Sequence, residues 1–580
     1  MPDFISNSRD LDKIAQQVSS ALEAHESASH NILSDRDLYL DMYKGVNVVA
    51  YRDSRPSSGL SALPSPTTSE SVETLTNMIF AMLTAADPNF QLTSLSGRQD
   101  QSSLFKNTQL LRMQHDRTKR KKKLLKTVRS MVLNGSAFAE QPFIAFPSGT
   151  PDPAWEATDF IHRPFTQMFW MPKAIDIDYS DYMGSIDAIS ANRLRSLSDM
   201  DKNGDSWLSF EIELALKKTE ADNFTGSDIR QSLTNLGYTD LKGVKEFISY
   251  WGPLQDLDGG KADWVVGLLN RKYVVRLHPS PYPRGMRPYR FAQHIALEDD
   301  PLGIGVGQQL RKQQPYINSN LNRTMDNLIL ATFQGTLVNR IAGLKSSDIK
   351  FKPWFQVEVD DINGIKPYPI DTNGAQFGLK LHELLVEQAR NQTGATPTLQ
   401  AIITDASASE VKIAQSNSMR AVSNKADTTA DEFIREAVQF DNFNNYLWLD
   451  RPIWINAVGM EKPEIISPDE IAKNVGVIPR VVTDKDYTPQ KLKNALQLLQ
   501  IVTSIRNQIP PDSPIWGLVA DITSGLGYDP SRFIPKAQPA PDPRVMLGLL
   551  AKEAAMRQQA ASPAESFIGA QQGVNEIANA

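Results

Sequence analysis

Apolar residues recur at helical spacing from the start of the chain. Leu11, Ile14, Val18, Leu22 and His25 share one face that continues through Ile32 and Leu33, which predicts a long amphipathic helix. The stretch 35–45 mixes aromatic and charged residues and stops at Gly45. After a Ser/Pro-rich loop, 52–67, Thr67-x-x-Glu70 reads as a capping box. It opens a helix with Val72, Leu75, Ile79, Met82 and Leu83 on its apolar face, ended by Asp87-Pro88. The helix LLKTVRSMVLNG closes at Gly135, and a strand, SAFAEQPFIAF, follows. From Lys245 the period changes to two. EFISYWG, the turn Asp258-Gly259-Gly260, ADWVVGLLN and KYVVRL predict an antiparallel meander.

The centre of the chain, 301–440, has a different layout. Leu310, Ile317, Leu321, Met325 and Leu328 predict a helix that Pro315 either kinks or starts. A turn-rich insert with short strands such as WFQVEV comes next. Phe377, Leu381, Leu384, Leu385 and Ala389 mark a returning helix, followed by the loop QTGATPTLQAIITDASAS. Val411, Met419, Val422, Ala426, Ala430, Phe433 and Ala437 then line a longer helix. Strands (PIWINAV, KPEII) lead to a helix begun by Thr488-Pro489, a Pro-rich link, a short helix over 545–557 and a mobile tail. The fold class is α+β, mainly helical.

At 580 residues the chain exceeds one ordinary core, and no run of about 18 apolar residues is present to span a membrane. The first residues lack the basic-then-apolar pattern of a signal peptide. Without cysteine there are no disulfides or zinc-thiolate sites, which suits assembly in a reducing cytoplasm. A net charge of −6 argues against gripping DNA by bulk phosphate neutralisation and suits a surface that DNA slides past.

Candidate chemistry is sparse. Gly303-Ile-Gly305-Val-Gly307 has the wrong glycine spacing, and no parallel β-α-β context, for a dinucleotide loop. Asp199 to Asp205 resembles half of a calcium loop, but position twelve is Phe210 instead of Glu. For Gly204-Asp205-Ser206 the only nearby Asp-x-x-His, Asp159 to His162, lies upstream rather than downstream, and the histidines show no metal-ligand spacing. The basic run Lys119 to Lys123 lacks interleaved aromatics and reads as a solvated helix face, with nucleic-acid contact as the competing reading. No catalytic residues, cofactor or metal are expected.

DRDLYLDMYKG, SVETLTNMIFAML, LLKTVRSMVLNGSAFAE, FISYWG and DDPLGIGVGQQLRKQQPYINSNLNRTMDNLILATF, in this order, resemble the portal proteins of tailed bacteriophages, most closely those of short-tailed phages. The resemblance implies a non-enzymatic ring, dodecameric in the family, around a channel for double-stranded DNA. It sits at the unique capsid vertex of the virion and is assembled in the host cytoplasm. It implies as partners the terminase packaging motor, tail adaptors, and major capsid and scaffolding proteins. By this likeness 1–300 is the wing, 301–333 the first stem helix, 334–375 the clip and 376–393 the second stem helix. The tunnel loop is 394–408, its supporting helix 409–445, the returning wing strands 446–485, the crown helices 486–560 and the tail 561–580.

The implied tunnel-loop residues are Thr396, Thr398, Gln400, Thr404 and Asp405. The loop has no Lys or Arg, so it grazes phosphates without neutralising them. The implied basic residues of the clip are Arg340, Lys345, Lys350 and Lys352. A head–tail adaptor is the alternative, and a metal-dependent hydrolase a more distant one.

Overall fold

The computed structural model describes residues 8–46, 61, 63–95, 101–146, 155–172, 174, 176–199, 206–218, 244–298, 300–332, 336–338, 365–367, 373–395, 408–455, 464–471, 473 and 475–481. The chain divides into two compact units, 1–488 and 489–580, and every described residue lies in the first. The helices predicted beyond residue 487 lie outside the described residues.

The helices are α1 (Ser8–Lys44), α2 (Thr67–Thr84), α3 (Gln101–Arg117), α4 (Arg120–Asn134), α5 (Ala191–Asp199), α6 (Ser209–Lys218), α7 (Gln255–Asp258), α8 (Val306–Leu310), α9 (Gln313–Thr332), α10 (Asn373–Thr393), α11 (Ala408–Thr429) and α12 (Arg435–Trp448). A π-helical turn, Ala430–Ile434, joins the last two. The strands are β1 (Phe90–Ser94), β2 (Ser136–Glu140), β3 (Phe143–Phe146), β4 (Trp155–Thr158), β5 (Ile161–Arg163), β6 (Met168–Trp170), β7 (Met183–Ser190), β8 (Val244–Pro253), β9 (Asp263–Leu269), β10 (Tyr273–Pro279), β11 (Tyr289–Gln293), β12 (Thr336–Val338), β13 (Ile365–Pro367), β14 (Ile453–Ile455), β15 (Glu464–Ile466) and β16 (Val475–Pro479). The chain is α+β, with antiparallel strand pairing throughout the described sheets.

The predicted meander is the centre of a five-stranded sheet in the order β10-β9-β8-β7-β6. Strand β8 is buried along nearly its whole length, because both faces of the sheet are covered. On one face Ile14, Val18 and Leu22 of α1 pack on Phe169, Ile186, Ile248, Val266 and Leu268. On the other, Leu194 of α5 and Ile212 and Leu216 of α6 pack on Phe247, Leu269 and Val275. Asn270 and Arg271 turn the β9–β10 hairpin with positive φ at both residues, as primed hairpin turns require. Arg271 is held there by ion pairs to Glu26 and to the buried Glu246.

A second core gathers Leu75 and Ile79 of α2, Val128 and Val132 of α4, Ala389 of α10, and Val422 and Ala426 of α11. The glycine run 303–307 is a backbone packing device here. Gly135, at φ +86, caps α4, and a Cβ on it would overlap the Gly303 carbonyl. Gly305 lies equally close to the backbone of Leu133 and Gly135, and Gly307 rests on the Tyr39 ring.

The capping box does not form. Thr67 is already helical, follows Pro66 at the cap position, and no side chain caps α2. Long-range partners take its place. Thr68 Oγ1 donates to Gln314 Oε1 at 2.6 Å, and Glu70 pairs with Arg390 at 2.9 Å. The same helix α9 holds the preceding segment as an extended strap. Ser61, Leu63 and Ser65 N–H groups donate to Asp326, Asn322 and Asn318 at 2.7, 2.7 and 2.9 Å. Asn322 and Gln314 return donors to the Leu63 and Ser65 carbonyls. Every fourth helix residue thus serves every second strap residue.

Candidate functional site

Helices α9 and α10 form the predicted hairpin. Pro315 lies in the first turn of α9, so it marks a start and not a kink. The two helices run antiparallel. Gln313 bonds Gln392 at 2.6 Å, and Asn320 Nδ2 donates to the Gly378 carbonyl at 2.8 Å. Gly378 allows this approach, since a Cβ would strike Thr324. At the far end β12 pairs with β13.

The inward face of α10 carries Ala389 and Thr393, both buried. Its other face carries Phe377, Leu381 and Leu384, at positions i, i+4 and i+7, with 70%, 36% and 59% of their surface exposed. Sequence periodicity placed these residues with Leu385 and Ala389 on one packed face, with Leu384 inside. That expectation holds for Leu385 and Ala389 and is corrected for the other three. Ala389 is buried, Leu385 packs partly buried against the same core, and Gly378 lies on the side that meets α9, while Phe377, Leu381 and Leu384 face outward. Leu328 and Ile329 near the end of α9 are exposed as well.

The candidate tunnel-loop residues Thr396, Thr398, Gln400, Thr404 and Asp405 lie outside the described residues, as do Arg340, Lys345, Lys350 and Lys352. The loop's entry is described. Gly394 is at φ +81, and Ala395 is fully buried, its N–H 3.4 Å from Thr393 Oγ1. Residues 200–205 of the calcium-like stretch also lie outside the described residues. Among the described residues no group of His, Asp and Glu is placed to hold a metal ion.

Behind the hairpin, the long helical arm α11–α12 carries a buried polar hub that the sequence reading missed. Asp441, 2% exposed, accepts from Arg120 Nη1 and from Gln141 Nε2 at 2.6 Å, and His115 Nε2 lies 2.9 Å away. One turn on, Asn445 and Gln114 exchange two amide bonds at 2.8 and 2.9 Å. Asn444 Nδ2 donates to Thr158 Oγ1 at 3.1 Å, and Asn444 accepts from the Tyr282 hydroxyl at 3.0 Å. Burial first, and the Arg120 guanidinium second, hold His115 below its ordinary pKa. The available signal was DNFNNY inside a helix, since Asp and Asn are poor helix formers without such partners. The hub also corrects the reading of the basic run. Arg120 is buried, stacks 4.8 Å from the Phe160 ring centre and pairs with Asp441, while Lys123 pairs with Asp159.

Three more histidines are held neutral. Burial lowers His25 and His162 to about 4; burial, and then Lys425, lower His294 to about 3. Their folded values lie below the unfolded one, so their contribution is complete above pH 6.5 and is lost as pH falls toward 4. For the 4% exposed His25 the loss approaches roughly 3 kcal/mol. Between pH 7 and 4, His25→Gln should lose less melting temperature than the unsubstituted protein. An identical pH dependence in the two proteins would contradict the assignment.

Neither the family models nor the curated proteins searched contain a match to this chain.

Proposed function

We propose that this chain is the repeating subunit of a portal ring, a non-enzymatic conduit through which double-stranded viral DNA is packaged and ejected. In this reading α9 and α10 are the stem, β12–β13 belong to the clip, and 394–408 reaches the channel with Thr396, Thr398, Gln400, Thr404 and Asp405. Arg340, Lys345, Lys350 and Lys352 lie at the clip, toward the terminase and tail adaptors. The α11–α12 arm supports the loop.

The observation that carries the reading is the outward apolar stripe Phe377–Leu381–Leu384 on a helical hairpin whose inner face is already packed. A lone subunit leaves this stripe in water, and contiguous exposed apolar surface marks an interaction site. A heterologous contact between one copy's stripe and a different surface of the next closes into a ring when its rotation allows.

Electron micrographs of the purified protein should show rings with a central hole. Leu384→Glu should abolish the rings while changing subunit stability by less than about 0.5 kcal/mol, because the side chain is exposed within the subunit. Intact rings in that variant, or a wild-type protein that stays monomeric at every concentration, would sink the proposal.

A further inference from the structure

Helix α11 meets the residue after β11 through a pair of bases. Lys425 Nζ lies 3.3 Å from His294 Nε2. His294 is 6% exposed, and its backbone N–H donates to the Gly135 carbonyl at 2.9 Å. Its other ring nitrogen, Nδ1, is buried without a hydrogen-bond partner. Lys425 is partly exposed, so a small molecule can approach it from solvent. Among the described residues no carboxylate pairs with either group. By contrast Arg120 pairs with Asp441, Arg163 with Glu140 and Arg271 with Glu246.

An ammonium is poorly placed here. It gives up water, finds no counter-charge, and has one neutral imidazole nitrogen to donate to. Burial accordingly lowers the pKa of Lys425, and the imidazole beside it stays uncharged at neutral pH. More of this lysine is free amine than of a lysine in water, and the free amine is the nucleophilic form.

We propose that Lys425 is an acylation site, modified by small activated acyl donors, with His294 as its positioning residue. The amine of Lys425 attacks the acyl carbon. The C–N bond forms as the bond to the phosphate or thiol leaving group breaks, the leaving group departs with that electron pair, and the surplus Nζ proton passes to solvent. The product suits the position better than the amine does. An amide is neutral, so the charge without a counter-ion is gone. It keeps one N–H, which His294 Nε2 accepts in place of the ammonium.

The test incubates the full chain at pH 7 with acetyl phosphate, and in a second arm with a small acetyl thioester, and follows each lysine by peptide mass spectrometry. Lys425 should be acetylated at least about fivefold faster than the exposed Lys119, Lys122 and Lys126. A preference seen with one donor alone assigns the site to that donor. His294→Glu sets a carboxylate against Lys425 and should bring its rate down to that of the exposed lysines, with melting temperature as the folding control. Lys425→Met removes the charge and keeps an unbranched side chain. It should unfold at a urea concentration no lower than the unsubstituted protein's. Lys425 reacting no faster than the three exposed lysines with either donor would overturn the proposal. So would a Lys425→Met midpoint well below that of the unsubstituted protein, which would show that the charge is compensated. Neither readout requires rings, so the result stands apart from the portal reading.

Discussion

Gly135→Ala should prevent the subunit from folding. The residue sits at φ +86, where a Cβ costs about 1–2 kcal/mol by itself. The added methyl would also run into the Gly303 carbonyl, which is backbone and cannot rotate away. Strain plus overlap puts the total above about 4 kcal/mol. Gly259→Ala is the matched control. It has φ +66 but nothing within 4 Å of the added carbon, so it should cost only about 1 kcal/mol. Urea unfolding of the two proteins separates conformational strain from collision. Equal stabilities would remove the close approach of 135 and 303–305 as a determinant of the fold.

Asp441→Ala should be nearly as damaging. It strands a buried guanidinium and takes a partner from Gln141, and breaking one side of a buried ion pair costs about 3–5 kcal/mol. Replacing both charges, in Arg120→Met/Asp441→Leu, should recover most of that loss, since an apolar pair carries no uncompensated charge. Urea midpoints for the single and double variants test this. A double variant no more stable than Asp441→Ala would show that the other members of the network, not the ion pair, set the cost.

What the sequence disclosed follows from the range of the forces involved. Elements governed by their own period were readable: α1 from Ile14, Val18 and Leu22, α2 from Val72 to Leu83, and the β8–β10 meander from its turns. Features decided by distant partners were not. Thr67 and Glu70 spell a capping box, but Gln314 and Arg390 compete for that end of the helix and win. A run of five basic residues looked uniform until Asp441, far along the chain, drew one of them inside. Apolar periodicity marked Phe377, Leu381 and Leu384 as a face without saying what covers it, and the subunit leaves them outward. The π turn at 430–434 has no period of its own to betray it.

The strap on α9 has a built-in limit of length. Four helical residues advance about 6.0 Å, whereas two extended residues advance about 6.6–6.8 Å. The two rulers act as a vernier, drifting apart by roughly 0.6–0.8 Å per step. Across the rungs 65/318, 63/322 and 61/326 the slippage stays within what a side-chain torsion absorbs. The next helix position in the series is Leu330, which offers no polar group. A helix imitating a sheet edge can hold a partner for only a few residues, and the polar series ends where that arithmetic begins to fail.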